Sequence, residues 1–375
     1  MLLALREVIR AKARFALLSG AVGLLVFLIV FQQALFGGLI TSFIGAVENQ
    51  DAPILVFNDQ ARSNVEGSFL LPAQAEAISR VDGVADSRLI GQNTFTVATA
   101  SAPEDAVLFG YTLGELGEPR TLRDGRLPLG PNEAVASAAD ADKGFDIGDT
   151  IEILGDDGPT VTIVGLGEDL RWSVAPTLFV SYETFEAAQA AVNPDATVVL
   201  PSLVAVRPAD GVDIDTLTDT IDAQVDGVEA LTNAEAVAQN PGVQGVSSSI
   251  TIILALAFVV VILVVGFFFL ILTVQKAKPL TLLRAIGSPS SYLVRNLIVQ
   301  IAVVMTAGIV IGVGSALLVA AVSPTGDVPI EVEVGSVITT VVALFVLAMI
   351  GGAVSIRRVL RIDPIRATAD SGRTL

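Results

Sequence analysis

The chain has 375 residues, 52% of them hydrophobic and 16% charged, with a mean hydropathy of +0.70 and a formal net charge of −17. That is too apolar for a soluble protein, where about 25% of residues are charged, and too acidic for a chain buried wholly in lipid. There is no cysteine and no histidine, which excludes disulfides, thiolate nucleophiles, serine-histidine hydrolases and zinc centres built on those ligands.

Residues 1–14 form a basic N-terminal segment, with Arg6, Arg10, Lys12 and Arg14 against Glu7. From Phe15 to Val47 no charged residue occurs. At about 1.5 Å per residue this run is about 50 Å long, more than the roughly 30 Å hydrocarbon core requires. It is also longer than the apolar part of a cleaved signal peptide. The expectation is a first transmembrane helix that continues beyond the membrane. Gln32 and Gln33 lie near its middle, where an amide is costly unless it pairs across a helix interface or lines a cavity, so at least one should face protein.

Residues 48–248 contain nine basic and 33 acidic side chains and are long enough to bury a core of their own. Short β-branched or aromatic runs bounded by turn residues predict strands at 53–58, 93–99, 106–112, 150–154, 160–166, 177–182 and 203–207. Helical periods occur at Pro72–Ser79, Tyr182–Val192, Asp213–Val225 and Asn233–Gln239. The domain is therefore read as α+β, with Asp156-Asp157-Gly158 turning a hairpin. The acid-rich stretches 140–149 and 168–172 lack the spacing of a calcium loop and are read as solvated loops. With carboxylates as the only acid-base groups, no catalytic constellation stands out.

Three more apolar stretches follow, at 249–274, 297–322 and 337–356, giving a membrane protein of four transmembrane helices with the α+β domain between helices 1 and 2. Lys276, Lys278, Arg284 and Arg295 lie in the segment 275–296, and five arginines lie in the tail 357–375. Together with the basic N-terminus they place both chain ends and the 275–296 segment in the cytoplasm, and the acidic domain and the 323–336 loop outside. Pro279 can open a helix and Gly287 can end it. Between them Leu280, Leu283 and Ile286 form an apolar face that either lies in the lipid interface or docks into a cytoplasmic partner. Gly308 and Gly312 permit close helix packing in the third span.

The run LTLLRAIGSPSSYLVRNLIVQ (280–300) resembles the cytoplasmic coupling helix and third span of FtsX-like/MacB-like ABC transporter permeases. PNEAVASAADADKGFDIGDTIEI with TVTIVGL is similar to the extracellular core of that family, in which a pair such as Gly148-Asp149 precedes a strand. LREVIRAKARF and RRVLRIDPIRATAD resemble its N-terminal helix and its tail, so the likeness runs over nearly the whole chain. The resemblance implies a multi-pass plasma-membrane protein that acts as a permease homodimer, or less often a heterodimer, in contact with membrane lipid, without nucleic acid. It also implies two copies of a separate cytoplasmic ABC ATPase, which bind ATP-Mg and dock on Leu280, Leu283, Arg284, Ile286 and Gly287. This chain has no GxxxxGK[ST] phosphate cradle and is not expected to be an enzyme itself. The movement it implies is a lever driven from the ATPase side.

The junction GAVENQDAPILVFNDQARSNVEGSFL looks closer to the DevC-like branch, which includes permeases of bacterial heme-efflux pumps. The implied substrate is hydrophobic or amphipathic, with heme the best guess and no intrinsic cofactor. Without His or Cys, an axial contact to iron falls to Glu, Asp, Tyr or Met, and Glu48 near the outer end of span one is the candidate metal contact. Phe36 and Phe43, seven residues apart and expected to share its face, would pack a porphyrin, with Gln33 deeper in the same span. The plainer alternative has Glu48 marking the membrane exit and the phenylalanines facing lipid. Two other functions fit the same resemblance: a signal transmitter that activates a cell-wall hydrolase, and a permease for sensing or resisting antimicrobial peptides.

Overall fold

The computed structural model describes residues 12–100, 102–195, 198–275, 290–322, 330 and 332–360. The expected coupling residues Leu280, Leu283, Arg284, Ile286 and Gly287 lie outside these, as do most of the N-terminal segment, most of the external loop and most of the tail. Two compact units are present: a helical one, and a large domain made of Gly38–Ser248.

Helix α1 (Lys12–Glu48) contributes to both, because its residues up to Gly37 belong to the helical unit and those from Gly38 to the large domain. The helical unit also contains α6 (Pro241–Gln275) from Ser249 on, α7 (Ser290–Val322) and α8 (Val334–Leu360). Among the described residues three helices are long and apolar enough to cross a membrane, within Phe15–Glu48, Pro241–Val264 and Ile298–Val322. The fourth expected span appears as a shorter apolar stretch, Val334–Ile350.

Phe15, Leu18, Val22, Val26, Ile29 and Val30 of α1 pack with Ile301, Val304 and Met305 of α7 and with Leu344 and Ala348 of α8. Glycines set how closely α1 and α7 approach: a Cβ on Gly308 would fall 2.6 Å from Val22 Cγ1, and one on Gly312 would fall 2.6 Å from the Gly23 carbonyl oxygen. Small-residue packing in the third span is therefore backbone against backbone. On α8, Thr340 accepts a hydrogen bond from Gln33 Nε2 (2.8 Å) and donates one to Gln33 Oε1 (3.0 Å). One of the two mid-span glutamines thus faces protein, as the cost of an unpaired amide in lipid requires. By contrast α6 exposes Ile252, Leu256, Leu263 and Phe267.

The large domain is built on a mixed sheet of ten strands among the described residues, ordered β10-β1-β9-β2-β3-β8-β5-β7-β4, with β6 pairing β2 and β7 off this path. In chain order the strands are β1 (Ile54–Asn58), β2 (Val84–Ala98), β3 (Pro103–Tyr111), β4 (Leu122–Gly125) and β5 (Glu133–Ser137). They continue with β6 (Thr150–Ile153), β7 (Thr160–Gly167), β8 (Thr177–Ser181), β9 (Leu203–Pro208) and β10 (Val228–Thr232). Helices α2 (Pro72–Ser79), α3 (Tyr182–Val192), α4 (Ile214–Gln224) and α5 (Asn233–Gln239) complete the α+β fold. Most neighbours are antiparallel, but β3–β8 and β5–β7 are parallel. The β6–β7 hairpin forms around the predicted turn, with Asp157 at φ 56.

Strand periodicity divides the core. Leu55, Phe57, Phe109, Tyr111, Phe179, Leu203 and Ala205 build one apolar cluster, and their sequence neighbours Ile54, Val56, Val204 and Val206 build another with Ile78, Leu217 and Ile221 of α2 and α4. Into the first cluster fit Ile44, Ala46 and Val47 from the end of α1. Those residues are apolar because they are core residues of the large domain. On the opposite face of the sheet, the ring of Phe185 on α3 lies over the cross-strand pair Gly91 and Gly110, where added Cβ atoms would come within 2.2 and 2.8 Å of it.

The two acid-rich stretches are not simply solvated loops. Asp140, Phe145, Leu170, Arg171 and Trp172 are buried, whereas Glu168 and Asp169 are exposed. Burial is possible because Arg171 meets Asp140 through two charge-assisted hydrogen bonds, Nε to Oδ2 at 2.8 Å and Nη2 to Oδ1, so neither charge enters the core unpaired.

At the start of β5, Glu133 accepts from Arg126 Nη1 (2.7 Å), from Arg126 Nη2 and from the Leu129 amide (2.8 Å). The guanidinium and the backbone donor lower its carboxyl from 4.5 to about 2. A depressed acid stabilises the fold above its unfolded pKa, and that contribution is lost as pH falls through the folded value. Glu133→Gln should therefore flatten the fall in melting temperature of the full chain between about pH 4.5 and about pH 2. An unchanged acid limb would assign it to other carboxylates.

Candidate functional site

The candidate substrate residues lie along α1 toward its exit into the large domain. Gln33 is half-buried and engaged with Thr340. Phe36 and Phe43 are half-buried, and Glu48, the last residue of the helix, is exposed. At about 100° per residue Phe36 and Phe43 share a face, but five further residues carry Glu48 about 140° around the axis. The expectation that the carboxylate shares the phenylalanine face is therefore corrected by helix geometry. The Phe43 ring lies beside Gly242 in the first turn of α6, where a Cβ would meet it at 3.5 Å. Among the described residues no group of three or more His, Cys, Asp or Glu is placed to hold a metal ion, so Glu48 offers one carboxylate and no ready-made cage.

Three segments hold this exit. Asn233, at the start of α5, donates from Nδ2 to the carbonyls of Val47 (2.9 Å) and Ala52 (3.3 Å). The 118–120 segment pairs with the chain just beyond the helix, Asp51 N–H donating to Glu118 O (2.7 Å) and Arg120 N–H to Asn49 O (2.8 Å). Arg207 binds the Asp51 carboxylate at 2.8 Å. Burial raises the Glu118 carboxyl above its ordinary value, Asp51 adds to the rise, and Arg207 opposes it.

The third segment is the connection from β7 to β8, Glu168–Pro176. Its Trp172 packs edge-on to Phe109 (centroids 5.8 Å apart) and donates from Nε1 to Glu66 at 3.2 Å. Ser173 Oγ donates to the same carboxylate oxygen at 3.1 Å. Asn49 Nδ2 donates to the Asp169 carbonyl at 2.9 Å. Sequence reasoning placed Arg171 and Trp172 in a solvated loop and passed over Glu66 and Gly45. The available signal was the chain's single tryptophan beside an arginine amid acids that could pair with it, since arginine is the cation suited to a buried ion pair.

Membrane-length helices joined to a large α+β domain that follows the first of them define a membrane protein that carries a large folded domain between its first two such helices. The MacB-like periplasmic core domain model matches residues 15–224, more than half of the chain, and the FtsX-like permease C-terminal model matches residues 251–364. The chain belongs to this MacB-like and FtsX-like family of ABC transporter permeases.

Relatives are similar over nearly their full length. A protein named as a putative hemin transport system permease protein HrtB, from Staphylococcus epidermidis, is 20% identical, with 98% of this chain and 99% of the relative covered. The protein of the same name from Staphylococcus haemolyticus is 22% identical at the same coverage. An uncharacterized ABC transporter permease of Mycobacterium tuberculosis is 25% identical, with 97% and 98% covered. Among solved structures, the extracellular domain of the noncanonic ABC-type transporter YknZ from Gram-positive bacteria matches with a TM-score of 0.35 and 15% identity, covering 48% of this chain and 99% of that one.

Proposed function

We propose that this chain is the permease subunit of an efflux pump that removes a hydrophobic or amphipathic molecule, heme in the first instance, from the membrane. A separate cytoplasmic ATPase drives it, and the working form is a permease homodimer with two ATPase copies and with both permease termini cytoplasmic. The observation that carries the reading is the end-to-end likeness to proteins named as hemin transport permeases. The α1 exit supports it chemically: Phe36 and Phe43 offer a stacking stripe, and Glu48 is an exposed carboxylate able to contact ferric iron or a cationic group.

Because the carboxylate and the stripe are on different faces, their variants should separate. Glu48→Ala should shift the Soret band of heme bound to the full-length protein and lower efflux-dependent heme tolerance. Phe43→Ala should weaken heme retention about five- to tenfold, the scale of one lost aromatic contact, with the band in place. Coexpressed with its ATPase and placed in vesicles, the wild type should show heme-stimulated ATP hydrolysis and loss of heme from the membrane. Wild-type protein that takes up no heme would remove the substrate, and a permease that clears nothing but activates a cell-wall hydrolase would replace export by signalling.

A further inference from the structure

The last turns of α1 make a backbone contact that a regular helix does not offer. In an α-helix each N–H donates to the carbonyl four residues back, so Ala46 N–H and Ser42 C=O are one another's natural partners. The β7–β8 connection supplies each of them with a partner from outside the helix. Ala46 N–H donates to Arg171 O at 3.0 Å, and Val174 N–H donates to Ser42 O at 2.8 Å. Ser173 N–H donates to Phe43 O at 3.0 Å. Only a glycine permits this approach at position 45, because a Cβ there would lie 2.3 Å from the Asp169 carbonyl oxygen.

The connection is anchored on one side and strained on the other. Arg171 is fixed to Asp140, and Trp172 to Glu66 and Phe109. Between and beside these anchors, Asp169, Ser173 and Val174 hold φ of 55, 51 and 62. That is the left-handed region, which side chains disfavour and β-branched valine most of all. Insertion of outside groups into an i to i−4 ladder is a recognised origin of helix bending. The strain opposes the inserted state, while the anchors and the backbone bonds favour it.

We propose that residues 169–174 form a releasable clasp, and that residues 42–46 of α1 exchange between pairing with this clasp and pairing only within their own helix. The exchange is the step that passes movement of α1 to the large domain. This role rests on the transport reading above, whereas the existence of the clasp equilibrium does not.

The first arm of the test is hydrogen exchange on the full-length permease in lipid nanodiscs. Gly45→Ala should speed exchange of the amides in 42–49 and 169–174 together by at least tenfold while the β1–β9–β2 amides stay unchanged. Val174→Gly, which relieves the strained φ, should slow both segments. Segments that respond separately, or a Val174→Gly protein that exchanges faster, would overturn the clasp.

The second arm uses the absence of native cysteine. Ser42→Cys with Val174→Cys, oxidised to a disulfide in the complex with the cognate ATPase, should leave ATP hydrolysis in place and cut heme clearance at least tenfold, with recovery on reduction. Clearance that continues with the disulfide formed would overturn release as the coupling step. If the unmodified complex clears no heme, the export reading fails, and the exchange arm still decides the clasp.

Discussion

Asp140→Ala should destabilise the large domain by about 3–5 kcal/mol, the scale expected when one member of a buried ion pair is removed and the other charge stays in the core. Arg171 is 4% exposed and Asp140 0%. The aspartate also draws Lys143 Nζ to 3.4 Å, and Arg171 Nη2 donates to the Ala139 carbonyl at 2.9 Å. Combining Asp140→Ala with Arg171→Met should recover most of the loss, since apolar replacement of both partners avoids the desolvation cost. Trp172 reports on the transition directly, because it is the only tryptophan, is buried, and adjoins Arg171. Denaturant unfolding of the full chain followed by its fluorescence measures both effects. A single-variant loss below about 1 kcal/mol would mean that Arg171 reaches water when its partner is gone, contrary to the burial argument.

Gly312→Leu should have the second large effect, in the membrane helices. A Cβ at 312 would stand 2.6 Å from Gly23 O, 2.6 Å from Val26 Cβ and 2.8 Å from Phe27 N. Most of these neighbours are backbone or branch-point atoms that have no rotamer to yield. Separating α1 from α7 forfeits their packing, and overpacking of this kind costs about 1–3 kcal/mol or more. Gly314→Leu is the matched control, because a Cβ at 314 meets nothing within 4 Å. The midpoint of detergent-induced unfolding should fall for the first variant and stay unchanged for the second. Equal midpoints would show that the α1–α7 contact is looser than the glycines indicate.

Strands rich in branched residues, such as Ile54–Asn58 and Thr177–Ser181, were readable because their composition and their burial agree. Others were not. The first half of β2, VADSRLIGQ, mixes charges and small residues, and β5 (EAVAS), β10 (VEALT) and β4 (LRDG) carry weak strand propensity. Their neighbours in the sheet decide their state, a tertiary effect that propensity does not contain. The run from Phe15 to Val47 shows a different limit. Hydropathy does not distinguish a side chain facing lipid from one facing a protein core, so nothing in the run marks where Gly38 begins the large domain. For the candidate site, the positions of Phe36, Phe43 and Glu48 were readable, but their separation around the helix needed its continuation to Glu48. The 168–175 connection was hidden because its exposed acids outweigh, by composition, the buried Arg171 and Trp172 that fix it.

The sharing of one helix between two units also bears on how the large domain can be isolated. A soluble fragment begun at Asn49, where charge and turn chemistry suggest the natural cut, would discard Ile44, Ala46 and Val47, all 1% exposed or less. It would also remove one of the two acceptors of Asn233, the Val47 carbonyl, and the Phe43 and Ser42 carbonyls that accept from the amides of Ser173 and Val174. The resulting trough would be lined by Trp172, Leu231 and Val243 of the same apolar cluster, and greasy troughs of that kind drive self-association. Beginning at Gly38 keeps the plug, at the expense of a short apolar overhang that a solubilising fusion can shield.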